Sequence, residues 1–136
     1  DAEGAKPADR QLEVDAASPA ELNSAHVVAV IPVRMTEAWL LFDEGAIRRA
    51  ADNPNGSATL NLPKLTNVEQ LPDPKATLFE ALRTASGLPP QRLKRFRPET
   101  GRLRIAELVD DADFSPLRQL PAFQRLEAQV QAVFQD

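Results

Sequence analysis

The stretch HVVAVIPV, residues 26–33, limits the fold more than any other part of this chain. Its near-continuous run of β-branched and apolar side chains, without polar alternation, predicts a strand covered on both faces, as parallel strands in α/β sheets are. Such a strand needs neighbours. Elsewhere only TLNL, residues 59–62, reads as extended, and then as an edge strand. The missing partners are therefore expected upstream of Asp1, in keeping with a chain that does not begin with Met. The size, 136 residues, is that of one domain with a buried core, here expected to be truncated at its N-terminus.

Helical signals flank the run. Ser18, Pro19 and Glu21 form an N-cap, a first-turn proline and a capping box, predicting a short helix that feeds the strand. Thr36 is placed to cap a helix from Glu37 towards Ala51, with Asp43 restarting it where Gly45 weakens the middle. DNPNGS, residues 52–57, is a loop by its density of turn formers. Asp73 and Pro74 open the clearest helix, with Leu78, Leu82 and Ala85 on one stripe and Gly87 as its stop. From Pro89 onward short helices are broken by Pro98, Pro116 and Pro121. The last of them presents Phe123, Leu126, Val130 and Val133 at helical spacing for docking.

Composition excludes several chemistries. No cysteine is present, which removes disulfides, thiolate metal sites and cysteine nucleophiles; one histidine, His26, cannot build a histidine cluster and marks the strand's start. The phosphate-loop, dinucleotide, zinc-protease and serine-hydrolase motifs GxxxxGK, GxGxxG, HExxH and GxSxG are absent from the sequence. A net charge of −4, 26% charged residues, no membrane-length apolar run and no signal-peptide pattern at residues 1–10 predict a cytoplasmic protein with no membrane role.

Among residues that could carry chemistry, Glu37 stands in a first turn just beyond the carboxyl end of the predicted strand, where open α/β sheets place their ligands. It equally suits plain complementation of the helix dipole. Asp1 and Glu3 form an acid-x-acid pair whose spacing lets both side chains reach one hard cation, or they belong to a solvated terminus. Lys75 lies at a helix start, an unfavourable place for a cation, and is either functional or simply solvent-facing. Trp39 reads as core. Arg92, Lys94, Arg95, Arg97, Arg102 and Arg104, with Phe96 interleaved, make a basic strip able to hold phosphates. The acids that follow, Glu107, Asp110, Asp111 and Asp113, are placed to neutralise it within the chain.

IPVRMTEAWLLFD, LPDPK and LPAFQRLEAQV together resemble the C-terminal two-thirds of domain of unknown function family 4276, a set of bacterial Toprim-like proteins. The resemblance spans much of residues 26–134, with Glu37 to Leu41, Asp43 and Pro74-Lys75 its most specific parts. It implies a Toprim-like α/β fold: a partly parallel sheet flanked by helices, a helical C-terminal third, and N-terminal strands lying outside these residues. By that resemblance Asp1 and Glu3 look like the family's aspartate pair with its second member changed, Glu37 is an additional acid and Lys75 the family's lysine. The implied activity is metal-dependent phosphodiester hydrolysis, with Mg²⁺ or Mn²⁺ held by Asp1, Glu3 and Glu37, and with Glu37 and Lys75 serving catalysis. A nucleic-acid substrate guided by the basic strip, and an ATPase partner in anti-phage defence, belong to the same implication. The alternative is a non-catalytic module in which Glu37 complements its helix and the arginines form a protein interface.

Overall fold

In a computed structural model of the protein, residues 6–17, 36–109 and 113–134 are described. They form seven α-helices and three 3-10 helices: α1 (Pro7–Ala17), α2 (Thr36–Trp39), α3 (Glu44–Ala50), α4 (Pro74–Ser86), α5 (Pro90–Leu93), α6 (Pro98–Leu108) and α7 (Pro121–Val133), with 3-10 turns at Leu40–Phe42, Leu65–Gln70 and Ser115–Gln119. There is no strand among the described residues.

This corrects the predicted α/β class and its Toprim-like parallel sheet: the described chain is helical. The run at 26–33 and the capping box at 18–21 lie outside the described residues. At 59–62 the edge strand is replaced by irregular chain in which Asn61 takes a left-handed φ of 49°, incompatible with an extended strand. Leu60 is nevertheless buried, so this loop covers the helices with a side chain instead of a ladder.

Local chemistry sets the helix limits. The carboxylate of Asp73 accepts the Ala76 N–H at 2.8 Å, Pro74 occupies the first turn, and Gly87 closes α4 in the left-handed conformation at φ 61°. Asp43 caps α3 in the same way, accepting the Ala46 N–H at 2.8 Å, while Glu44 and the pair Arg48 and Arg49 complement the two ends of its dipole. The segment 36–50 is accordingly two helices joined by a 3-10 turn, restarted at Asp43. Pro98, Pro116 and Pro121, which the sequence marks as breaks, each stand in the first turn of a new helix. Helix α1 carries the Arg10–Glu13 and Gln11–Asp15 side-chain bonds, each between neighbouring turns of the same helix.

The core forms where α3, α4 and α6 meet, with α2 laid against α4. Ile47, Leu78, Leu82 and Ile105 are fully buried there, each contributing about 2–3 kcal/mol of burial. Helix α6 approaches α4 at Gly101, where a Cβ would lie 2.9 Å from a Leu82 methyl. Trp39 belongs to this core, its ring meeting Phe123 of α7 edge-on with centroids 5.5 Å apart. Phe123 and Leu126 pack on the core, whereas Val130 is exposed; α7 docks through its first half. Among the described residues no helix is long and apolar enough to cross a membrane.

Candidate functional site

Helix α6 has three faces. Pro98, Gly101 and Ile105 form its buried stripe. Arg102 and Arg104, two residues apart and about 200° apart around the axis, fall on opposite flanks of that stripe. On one flank Arg102 donates to the Glu37 carboxylate of α2 at 2.7 Å. Only 6% of Glu37 is exposed, so the carboxylate that the sequence placed at a sheet edge is instead buried and bonded to a guanidinium of α6. A buried carboxylate needs such a partner.

On the other flank Arg104 reaches the C-terminal end of α3, donating to Asp52 at 2.9 Å and to the Ala50 carbonyl at 3.4 Å. Asp52 holds a left-handed φ of 57° at the end of α3. The loop that follows is tied down by Asn53, whose amide donates to the Ala85 carbonyl of α4 at 2.9 Å. These bonds fix the wall of a cavity of about 540 Å³. Arg92 of α5, Arg95 just beyond it, Arg97 at the N-cap of α6, and Arg104 line it as four arginines, against the single acid Asp52. Ala50, Leu88 and Phe96 supply apolar lining.

Arg92, Arg95 and Arg97 make no side-chain hydrogen bond or ion pair with a described residue, and Lys94 beside them is exposed and likewise unpaired. Among the described residues the predicted neutralisation by the following acids is not formed at these arginines. Glu107 pairs with none of them, and Asp110 and Asp111 lie outside the described residues. Asp113 accepts from Ser115 N–H at 3.1 Å; hydrogen bonds with Ser115, with a smaller contribution from the Arg118 charge, hold its pKa below the ordinary 3.8. The six-residue strip is thus divided: four arginines at the cavity, Lys94 beside it, and Arg102 turned away to Glu37.

Of the other residues implied for the site, only Lys75 is among the described residues. Asp1 and Glu3 lie outside the described residues. Lys75 is exposed in the first turn of α4, makes no ion pair with a described carboxylate, and places its Nζ 5.7 Å from the Phe79 ring one helical turn on, an interaction worth about 0.5–1 kcal/mol. No group of three or more His, Cys, Asp or Glu side chains among the described residues could hold a metal ion. A second cavity, of about 280 Å³, is lined by Asp43, Glu44 and Asp113, but Asp43 caps α3 and Asp113 bonds to Ser115. Of the acids implied for a Mg²⁺ or Mn²⁺ centre, only Glu37 is among the described residues, and its carboxylate is bonded to the Arg102 guanidinium.

No family model, curated protein or solved structure matches this chain.

Proposed function

We propose that this protein is a nucleic-acid-binding module that grips the phosphate backbone through the arginine-lined cavity between α3, the turn after α4 and the start of α6. The observation that carries it is the set of three arginines, Arg92, Arg95 and Arg97, lining one cavity without a side-chain partner among the described residues. Like charges held together repel. That cost is offset when a polyanion supplies bidentate, charge-assisted hydrogen bonds, for which the guanidinium fork is suited.

Bulk charge does not explain the cluster, because the chain as a whole carries −4. Long-range attraction of nucleic acid to an acidic protein is weak, so affinity comes from short-range contact at the cavity. A small footprint follows. Two or three phosphates contacted on a single strand give a slope of log affinity against log salt of about −2.

Fluorescence anisotropy with labelled oligonucleotides from 50 to 200 mM salt tests this. Binding with that slope, weakened by roughly two orders of magnitude in Arg95→Ala/Arg97→Ala at unchanged thermal stability, is the expected result. Binding that is undetectable, or that is untouched by the double substitution, overturns it. Cleavage of the oligonucleotide on adding Mg²⁺, lost in Glu37→Gln with the fold intact, would replace the binding module with a hydrolase.

A further inference from the structure

We propose that the cavity seats one unpaired nucleotide, so that the protein selects single strands over duplexes. The inference rests on the phosphate-binding function above and names its ligand class. It is carried by the cavity's shape and by the division of its lining. The site is a concavity of about 540 Å³ with Ala50, Leu88 and Phe96 in its wall and Arg92, Arg95 and Arg97 around them.

A duplex presents its phosphates on a convex surface and keeps its bases stacked inside, so a protein reading only its backbone has no use for an apolar recess among the cations. Bound to duplex, that recess would be left filled with water or empty. A single strand differs in that one base can turn out of the stack. Turned inward, the base meets the ring of Phe96 and the faces of the guanidiniums, both of which stack on any base. Its flanking phosphates then lie against the arginines. The volume falls in the range of pockets that take one small organic ligand, which limits occupancy to about one nucleotide.

Phe96 is half-buried and also packs against the core, fixing its ring in place. A ring held before binding loses little entropy on stacking. Two further lining residues, Arg104 and Asp52, are bonded to each other, and Asn53 next to Asp52 is tied to Ala85 of α4.

The test compares four labelled probes of one length with the 136-residue chain: single-stranded DNA, single-stranded RNA, a DNA duplex, and a DNA strand abasic at every internal position. Both base-bearing single strands are expected to bind at least about tenfold more tightly than the duplex or the abasic strand, reflecting loss of one stacked base. Phe96→Leu, which keeps an apolar side chain in the core, is expected to weaken the base-bearing single strands about fivefold and to leave the duplex unchanged. Equal affinity for the abasic and base-bearing strands, or duplex binding as tight as single-strand binding, overturns the inference while sparing the phosphate-binding function. Failure of all four probes to bind overturns both.

Discussion

Two groups of arginines share the region around α6 and serve opposite ends. Arg102 is half-buried and spends its charge on a buried carboxylate, joining α2 to α6 across 65 residues of sequence. Arg92, Arg95 and Arg97 are exposed, adjoin a cavity and find no carboxylate among the described residues. The same residue type is thus neutralised inside the fold on one flank and left for an external anion on the other. Arg104 lies between these cases, its charge shared with an exposed aspartate that stands in the cavity wall. Counting cations along the sequence does not separate these roles; the accounting of partners does.

The comparison depends first on the shared scaffold. Ile105 is fully buried on the stripe that keeps the two flanks apart, and Ile105→Ala is expected to cost about 2–5 kcal/mol, measured by urea unfolding, with both flanks lost together. Full oligonucleotide affinity in a variant destabilised to that degree would show that the cavity does not depend on α6.

Glu37→Gln addresses the inner flank alone. It removes a charge-assisted bond whose arginine is 38% exposed, so the expected loss is about 1–2 kcal/mol after allowing for solvent screening, with nucleic-acid affinity unchanged. A fall in affinity at constant stability would put Glu37 in the binding site and break the separation.

Asp52→Asn sharpens the intermediate case. Asparagine tolerates the left-handed backbone at this position, so the loop should hold while Arg104 is released to the ligand. An affinity gain of about two- to fivefold is expected from the size of exposed ion pairs, read by anisotropy. No change, or a loss, would mean that Arg104 serves α3 only.

The smallest effect concerns Asp113, the last of the four acids that follow the strip. Because its folded pKa is lowered, its contribution to stability is present above its unfolded value near 3.8 and disappears as the pH falls through the lower folded value. Its carboxyl shift, followed by NMR against pH, should move in Ser115→Ala and stay fixed in Arg97→Ala. Sensitivity to Arg97 would join the two regions electrostatically.

How much of this was legible in the sequence depended on whether the signal was local. The limits of α4 were, because Asp73, Pro74 and Gly87 act on their own turn, and the restart at Asp43 was legible for the same reason. Trp39 was recognisable as core. The fold class was not: one β-branched run and a family resemblance outweighed helical spacing in nearly every other segment, and the described residues are helical. The basic strip was visible as a composition but its division was not, since Arg102 and Arg104 separate only once Pro98–Leu108 is known to be one helix. The partner of Glu37 was out of reach because no local pattern links α2 to α6. Nor does any local pattern show that the buried indole N–H of Trp39 has no hydrogen-bond partner among the described residues while its ring packs against Phe123.

Thermal unfolding of Arg95→Ala and Arg102→Ala, each with and without a saturating single-stranded oligonucleotide, tests the central division most directly. Arg102→Ala should lower the free protein's melting temperature and keep the full stabilisation by oligonucleotide, whereas Arg95→Ala should melt like the parent protein and lose most of that stabilisation. If the two substitutions change the same quantity, or change them in the reverse order, the arginines form one population and the account is wrong.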